Sequence, residues 1–278
     1  MIVERRFRIY LFWAALFFLI LAASACAARR PPFRPDISVP PLETPENVLS
    51  LLTRNYGGLE SIKASGTLEF RPTGERRWKG ASVILLAQRP DNVRLRAYRL
   101  LAPTLFEFVS GENRCWLFLP AEQAAYLDDD CRMIEAGEDN LVLSAETIVA
   151  ALLVVSDFDS LRISPELGLE PNNILRVLLI NETQLRRQLW IDTITGLATK
   201  QVFLTDDGEV EVEVDYLEHI AKRENVAPAE VEVHIPKAHA EMRLRLDDVE
   251  LQPSLQPATF QFVPPPNVRI IKLNQSQQ

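Results

Sequence analysis

Residues 81–119 read ASVILLAQRPDNVRLRAYRLLAPTLFEFVSGENRCWLFL. Apolar and polar positions alternate in four short segments of this stretch, residues 81–87, 93–98, 105–110 and 115–119. Turn-forming residues separate the segments: Pro90, Asp91 and Asn92, then Pro103, then Gly111, Glu112 and Asn113. Successive side chains of a strand point to opposite faces, and short polar turns join neighbouring strands. The stretch therefore predicts an antiparallel meander.

The same alternation extends in both directions from this stretch. Residues 65–70 precede it, and six further segments follow at residues 174–180, 185–192, 198–204, 210–216, 231–235 and 241–246. Acidic and apolar residues alternate strictly in residues 209–216, so one face of that strand is expected to be wet and the other buried. The whole pattern predicts a mainly β (α+β) chain with about eleven strands in one large, strongly curved sheet.

Two segments have helical spacing instead. The first begins after Thr44, with Pro45 at a favourable first position, and ends near Gly57. The second begins at the candidate N-cap Ser144, with Glu146 in its first turn. Each segment has an apolar stripe, formed by Val48, Leu51 and Leu52 in the first and by Ile148, Val149, Leu152 and Leu153 in the second. Such a stripe is typical of a helix that packs on a sheet.

The N-terminus has the order of a bacterial lipoprotein signal. An arginine-bearing start is followed by an uncharged apolar run from Ile9 and then by small residues that lead to Cys26. This order predicts that residues 1–25 are removed and that Cys26 carries acyl chains. Ala23 departs from the pattern, since Leu is usual three residues before the cysteine. Two alternatives remain open: a plain secretory signal, and an uncleaved anchor formed by residues 9–28.

All three alternatives export the rest of the chain. Neither residue that follows Cys26, Ala27 or Ala28, is acidic. By resemblance to the sorting rule of enteric bacteria, this favours a lipid anchor in the outer membrane, with the protein facing the periplasm. Residues 26–42 are rich in proline and predict an extended, semi-stiff tether. Residues 43–278 are then expected to form a single folded domain.

Composition excludes some classes of protein. The chain has a formal net charge of −8, and removal of residues 1–25, with three arginines and one glutamate, makes it more negative. Nucleic acid would therefore be repelled, and no nucleic-acid partner is expected. A hydrophobic content of 47% suffices for a sizeable core.

The sequence has no recognisable catalytic pattern. Its three histidines, His219, His234 and His239, do not have the spacing of a metal site. It contains no nucleophile elbow, phosphate loop or dinucleotide fingerprint. The acidic run Asp128, Asp129 and Asp130 is typical of a solvated turn. We therefore predict that the protein is not an enzyme, has no catalytic residues, and holds neither a metal nor another cofactor.

Cys115 and Cys131 flank a predicted hairpin that turns at residues 120–123. An oxidising periplasm permits a disulfide between them. If residues 119 and 124 face each other, Cys115 lies opposite Leu127, or near Asp128 with a looser turn. A bridge then requires the second strand to break within the aspartate run. Both a disulfide and two free thiols remain open.

Three motifs resemble a known family. They are residues 88–95, QRPDNVRL, then residues 109–113, VSGEN, leading into WLF at 116–118, and finally residues 259–266, TFQFVPPP. Together, in this order over roughly residues 43–273, they resemble the periplasmic lipoprotein carrier and receptor family, LolA and LolB. The resemblance implies an unclosed antiparallel half barrel, with two or three helices plugging the concave face around an apolar cavity for acyl chains.

In such a half barrel, alternate strand positions line the concave face. The candidate cavity residues are therefore Val83, Leu85, Val93, Leu95, Phe106, Phe108, Trp116 and Phe118. The alternative for such a stripe is an ordinary filled core. In the soluble carrier, the arginine that matches Arg89 holds a lid through backbone oxygens, which makes Arg89 a candidate lid contact. A solvated turn arginine is the alternative.

Within the family, the receptor is itself a lipoprotein, so Cys26 places this chain nearer to LolB. The receptor's membrane-facing loop matches residues 99–104, with Leu100 and Leu101 as candidate wedge residues; their alternative is a place in the core. The resemblance implies an anchored receptor for acylated lipoproteins, with a periplasmic carrier protein as a possible partner. The alternatives are a carrier of another hydrophobic ligand and a structural lipoprotein that uses the same fold in an assembly.

Overall fold

We analysed a computed structural model of the chain. It describes residues 39, 41–71, 77–99, 104–112, 114–129, 131, 134–136, 141–155, 158, 162–180, 186–205, 207–222 and 225–273. All of them lie within one unit of the chain, Phe33–Gln278. Two α-helices occur among the described residues, α1 (Pro45–Leu52), which continues into a π-helical turn at Thr53–Gly57, and α2 (Ala145–Leu153).

The described residues form sixteen strands, five more than the alternating pattern predicted. The additional strands are β6 to β9 and β16. Three of them, β7, β8 and β16, have only three or four residues, too few to show a period, and β9 contains Pro165 and Gly168, which are typical of turns. The strands are β1 Ser61–Arg71, β2 Lys79–Gln88, β3 Asn92–Tyr98, β4 Thr104–Gly111, β5 Arg114–Leu119, β6 Ala124–Asp128, β7 Ile134–Ala136, β8 Leu141–Leu143, β9 Arg162–Glu170, β10 Ile174–Ile180, β11 Arg186–Asp192, β12 Ala198–Leu204, β13 Val210–Lys222, β14 Asn225–Ile235, β15 Ala240–Leu251 and β16 Arg269–Lys272.

Fourteen strands form one large, curved and unclosed sheet in the order β16-β6-β5-β4-β3-β2-β1-β15-β14-β13-β12-β11-β10-β9. The strands β7 and β8 form a separate pair. Within the large sheet, β16 joins β6 in parallel, and all other neighbours are antiparallel. The long pairing of β1 with β15 joins two meanders, β1 to β6 and β9 to β15, into one surface.

One face of this sheet, which we call the inner face, carries both helices. The register puts Ala64, Leu85, Leu95 and Phe108 side by side on it across β1 to β4. Helix α2 contributes Leu152 and Leu153 to the core that packs on these strands. It contributes Ala150 and Ala151 to a second core, which packs on β10 to β14. Helix α2 therefore lies between the two cores.

Helix α1 is fixed to the second core by local sequence and by two polar contacts. Thr44 Oγ1 caps the helix by accepting from Asn47 N at 3.3 Å, and Pro45 follows at the first turn. Beyond the helix, Asn55 Nδ2 donates to Gly196 O at 2.7 Å, and Tyr56 Oη accepts from Ala198 N at 3.0 Å. Gly196 has a φ of +70°, which favours glycine at this turn.

The opposite, outer face is covered near β3 to β5 by the C-terminal segment. Arg94 Nη1 donates to Thr259 O at 2.9 Å. A Cβ atom at Gly111 would lie 2.6 Å from Phe260 O, so only glycine permits this close approach. The covering segment explains why Glu107 and Val109, which point outward from β4, are also buried.

Neither helix in the described part of the chain is long and apolar enough to cross a membrane.

Candidate functional site

An apolar cavity lies between α2 and the inner face of the sheet. Its walls come from three places: Leu85 and Leu95 on β2 and β3, Ile148 and Leu152 on α2, and Val233 and Leu244 on β14 and β15. Its volume is about 50 Å³, enough for a few water molecules. Pockets that hold small-molecule ligands are larger, about 300–1,000 Å³. In this state α2 covers the cavity and leaves less space than such a ligand needs.

Six of the eight candidate cavity residues lie on the inner face. Leu85 and Leu95 line the cavity itself. The other four, Val83, Val93, Phe106 and Phe108, are fully or almost fully buried in the packed core beside it. The inner face thus contains both of the environments that sequence left open, a packed core and a cavity.

The assignment of Trp116 and Phe118 to the cavity face is wrong. Phe108 pairs directly with Leu117, so it is Leu117 that shares the inner face, and its two neighbours point outward. The rings of Trp116 and Phe118 lie 5.4 Å and 5.7 Å from the ring of Phe262 in the C-terminal segment. The two-residue turn between Gly111 and Arg114 reverses the parity of the inward positions, which apolarity alone did not reveal.

Helix α2 is attached to the second meander by polar groups that are unusual on this face. Glu146, in its first turn, forms an ion pair with Arg187 of β11, whose side chain is 7% exposed. The guanidinium carbon of Arg187 lies 4.9 Å from the ring centre of Phe203 on β12. Arg187 and Phe203 both belong to the inner face, because they pair with each other and Arg187 also pairs with buried Leu179 of β10. A buried arginine requires such partners.

A second polar contact reaches the middle of the helix. The Tyr216 hydroxyl lies 3.1 Å from Ala150 O and 2.8 Å from the side-chain amide oxygen of Gln201. Burial raises the pKa of Tyr216 well above its usual value, so the hydroxyl keeps its proton. That proton can serve one acceptor. If it goes to Ala150 O, the Gln201 amide is turned so that its nitrogen donates to Tyr216. In the orientation present, Nε2 of fully buried Gln201 has no hydrogen-bond partner among the described residues.

Arg89 holds the other end of α2. Its Nε donates to Val155 O at 2.8 Å, and its Nη2 donates to Leu153 O at 3.2 Å and to Tyr56 O at 3.0 Å. These carbonyls lie at or just beyond the C-terminal ends of both helical segments, where helical acceptors lack partners. The Arg89 side chain is only 7% exposed, so the alternative of a solvated turn arginine is wrong. One arginine at the end of β2 thus connects both helical segments to the sheet.

His219 of β13 is the remaining polar side chain of interest. Its Nε2 is shielded from solvent and has no hydrogen-bond partner within the described part of the chain. Desolvation by burial lowers its pKa to about 4, so the imidazole is neutral at pH 7. Its ring centre lies 6.0 Å from that of Tyr216. Among the described residues, no group of three or more His, Cys, Asp or Glu side chains is placed to hold a metal ion.

Comparison with known proteins gives similarity in structure alone. No protein-family model matches the sequence, and no curated protein matches it. A LolA superfamily protein from Nitrosomonas europaea aligns with a TM-score of 0.54 and 11% identity, over 79% of this chain and 98% of that one. The chain has a LolA-like fold. At this low identity, the similarity shows the fold and nothing finer.

Two further solved structures have the same fold. A putative outer membrane lipoprotein-sorting protein domain from Vibrio parahaemolyticus aligns with a TM-score of 0.54 and 13% identity, over 78% of this chain and 96% of that one. A DUF1329 family protein from Desulfovibrio piger aligns with a TM-score of 0.55 and 11% identity, over 78% and 97%. These alignments are consistent with the large, curved and unclosed sheet of this chain.

The structure joins Cys115 and Cys131 by a disulfide. Cys115 pairs with Asp128, the last residue of β6, so the strand breaks within the aspartate run, as a bridge requires. Cys131 then has a φ of 55° and brings its Cα to 5.0 Å from that of Cys115. The bridge ties β5 to the segment that leaves the sheet after β6.

Three candidate site residues lie outside the described residues. They are the lipid anchor Cys26 and the wedge residues Leu100 and Leu101. The sequence signals also missed residues that the structure brings to the site: Arg187, Gln201 and Tyr216. Each occupies an inward position of a strand that the alternating pattern did predict. A polar residue at such a position is the signal that identifies them.

Proposed function

We propose that the protein is a lipoprotein, anchored in the outer membrane through Cys26 and facing the periplasm, that binds the acyl chains of other lipoproteins and assists their localisation. One observation carries this proposal: an almost entirely apolar cavity lies beneath a helix that polar contacts hold at both ends. An apolar space beneath a detachable cover suits a ligand that must be hidden from water and later released.

Acyl binding requires α2 to move. The cavity of about 50 Å³ is too small for a fatty chain, whereas the inner face beneath the helix offers apolar residues from both meanders. The helix packs apolar residues into both cores, and its polar contacts to the rest of the chain include those made by Arg89, Arg187 and Tyr216. Transfer of an acyl chain between apolar environments is nearly balanced in free energy, so the proposal includes neither catalysis nor a cofactor.

The receptor role, as opposed to that of a soluble carrier, rests on Cys26. In this proposal the anchor keeps the protein at the membrane, Leu100 and Leu101 contact the lipid surface, and a periplasmic carrier delivers the cargo. Lipoproteins, the membrane and that carrier are its partners, and nucleic acid is not among them.

Binding of acyl chains in the cavity can be tested by filling the cavity with a larger side chain. We expect Leu244→Trp to reduce capture of a tripalmitoylated cysteinyl lipopeptide that carries a diazirine by roughly tenfold, a loss of about 1.4 kcal/mol. Leu244 lines the cavity, and an indole there would occupy the space that the chain requires. Capture is measured as photolabelling of the full chain in phosphatidylcholine vesicles.

The matched control is Leu217→Trp, because Leu217 is 48% exposed. The control should capture as much lipopeptide as the unaltered protein. Leu244→Phe is a milder filling and guards against a fold that cannot accept tryptophan. Equal capture by all four proteins would mean that the chains do not enter this cavity.

The anchor is tested by mass spectrometry of the native protein extracted from outer membranes. We expect the chain to begin at Cys26 with a glyceride and an amide-linked acyl group, and Cys26→Ser to be absent from the membrane fraction. A mass that retains Met1, or that starts at an unmodified cysteine, would contradict the anchored receptor and leave the cavity test untouched.

A further inference from the structure

Gln201 of β12 is a polar residue at a fully buried, inward position of the sheet. It pairs with Leu189 of β11 on one side and with Val214 of β13 on the other, and both are fully buried apolar residues. Its Nε2 atom has no hydrogen-bond partner within the part of the chain that the structure describes. A buried donor without an acceptor costs free energy, and such groups are rare in native proteins. Packing alone therefore does not explain an amide at this position.

The neighbouring tyrosine does not explain the amide either. Gln201 Oε1 lies 2.8 Å from the Tyr216 hydroxyl, but the same hydroxyl lies 3.1 Å from Ala150 O. The hydroxyl has one proton, and Ala150 O can accept it by itself. An apolar side chain at position 201 would thus leave Tyr216 with an acceptor while α2 is closed, and it would remove the donor that has no partner.

The amide borders the cavity. Val212 lines the cavity and is a diagonal neighbour of Gln201 across β12 and β13, at about 7–8 Å. Tyr216, which contacts the amide, pairs with Val231 of β14, another lining residue. The helix residue that Tyr216 contacts precedes Ala151, which also lines the cavity. The amide thus lies beside the cavity wall, and α2, the element that has to move, supplies part of that wall.

An acyl chain brings an acceptor for this donor. The chains of a lipoprotein are attached through ester or amide groups, whose carbonyl oxygens accept hydrogen bonds. When the methylene groups of a chain occupy the apolar cavity, the carbonyl at the head of the chain leaves water as well, which is costly unless the carbonyl finds a donor. Nε2 of Gln201, in the orientation present, is a donor beside the cavity. A hydrocarbon without a carbonyl would gain nothing from it.

We propose that Gln201 recognises the acyl carbonyl of the cargo: its Nε2 donates to the ester or amide oxygen at the head of a chain that occupies the cavity. The inference rests on the proposed acyl-binding function and goes beyond it by assigning a partner to a polar group of the ligand. Tyr216 is a positioning residue in this site. When α2 moves away with Ala150 O, the hydroxyl has Gln201 Oε1 as its acceptor, so Nε2 stays available to the ligand.

The test compares ligands that differ only in their carbonyl groups, on the full chain in phosphatidylcholine vesicles. A diazirine derivative of hexadecanol, which has no carbonyl, labels the cavity. Two pairs of ligands compete with it. The first pair is a dipalmitoyl-glyceryl cysteinyl lipopeptide and its dihexadecyl ether analogue, and the second is monopalmitoyl glycerol and its hexadecyl ether. The ratio of ester affinity to ether affinity within each pair is compared between variants, which cancels the partition of each ligand into the vesicle.

Gln201→Met keeps the length of the side chain and removes its donor. We expect this variant to lower the ester-to-ether ratio about fivefold, the effect of one hydrogen bond between neutral groups. Leu189→Met is the matched control, because Leu189 is the fully buried partner of Gln201 on β11 and its replacement alters packing without removing a polar group. Its ratio should equal that of the unaltered protein. Because the ratio compares two ligands on one variant, a change in the folded fraction does not affect it.

Urea unfolding is the second measurement. Since Gln201→Met removes a buried donor that has no partner, we expect it to be at least as stable as the unaltered protein. A loss of stability together with an unchanged ester-to-ether ratio would assign Gln201 to the fold alone and overturn the inference.

Opposite outcomes are separable. If Gln201→Met leaves the ratio unchanged, or if Leu189→Met lowers it as much, recognition of the carbonyl by Gln201 is overturned while acyl binding stands. If none of the four ligands competes with the probe, and Leu244→Trp does not change lipopeptide capture, the proposed function fails as well. A fall in the ratio of the lipopeptide pair alone assigns the carbonyl to lipoproteins, and a fall in the glycerol pair alone assigns it to free acyl lipids.

Discussion

At the scale of single residues, the polar side chains of the inner face determine how the site behaves. Arg187 of the inner face is paired across the helix interface, whereas the shielded imidazole of His219 on β13 is left neutral. The neutral state of His219 makes the stability of the fold depend on pH. The pKa of His219 is about 4 in the folded protein and about 6.5 in an unfolded chain. Between these values the unfolded state binds more protons, so stability increases with pH.

We expect the free energy of unfolding to fall as the pH decreases from 6.5 to 4, with a contribution from His219 on the order of 3 kcal/mol. His219→Gln should remove this contribution and leave a flatter profile. The measurement is urea unfolding followed by circular dichroism at several pH values. His234→Gln serves as the control, because the side chain of His234 is 45% exposed. Identical slopes in the unaltered protein and in His219→Gln would disprove the assignment.

At the scale of elements, α2 is the part of the site that must move, and α1 resembles it closely at its start. Ser144 Oγ accepts from Thr147 N at 3.3 Å, and Thr44 Oγ1 accepts from Asn47 N at the same distance. Helix α2 covers the cavity, whereas α1 packs only on the second core. The two N-caps therefore have the same hydrogen bond, but only the cap at Ser144 belongs to a helix that covers the cavity.

We expect Ser144→Ala and Thr44→Ala to destabilise their helices by about 1 kcal/mol each, the usual cost of losing an N-cap. Only Ser144→Ala should speed hydrogen exchange in residues 145–153 and increase lipopeptide capture, because only α2 closes the cavity. Hydrogen exchange by mass spectrometry measures the first effect, and photolabelling measures the second. Equal capture by the two variants would show that opening of α2 does not limit ligand entry.

At the scale of the whole molecule, the pairing of β1 with β15 makes one sheet of two meanders, and the disulfide lies near one end of that sheet. The bridge closes a loop over a sequence separation of 16 residues. In the chain-entropy account, a loop of this size contributes about 3 kcal/mol. Because the sheet is continuous, we expect this contribution to act on a single cooperative transition.

The prediction is that Cys115→Ala with Cys131→Ala lowers the free energy of unfolding by about 3 kcal/mol without adding a second transition. Denaturant unfolding followed by far-ultraviolet circular dichroism measures it. A reducing agent should reproduce the loss in the unaltered protein and have no effect on the double variant. A midpoint that does not change on reduction would mean that the two cysteines are not bridged in solution.

Much of the fold could be predicted from the sequence, because strands and helices of sufficient length reveal their own period. Eleven strands and both helices were placed, including the cap at Ser144, since local alternation and capping are properties of neighbouring residues. The hairpin at residues 120–123 also implied β6, whereas four strands were missed: β7, β8 and β16 are too short to show a period, and β9 is interrupted by proline and glycine. The motif around Arg89 also indicated a family fold, and the structural comparison agrees with a LolA-like sheet.

The site was harder to predict from the sequence, because its residues meet only through pairing between strands. Trp116 and Phe118 were assigned to the wrong face, since a two-residue turn decides which parity points inward. The assembly of Arg187, Gln201 and Tyr216 beneath α2 depends on three strand registers and on the position of a helix far away in sequence. The sequence by itself determined the periods and the helix starts, which are local, and the export signal stays a prediction. Only the tertiary structure decided which side chains share the inner face and what α2 encloses, because those depend on long-range register and packing.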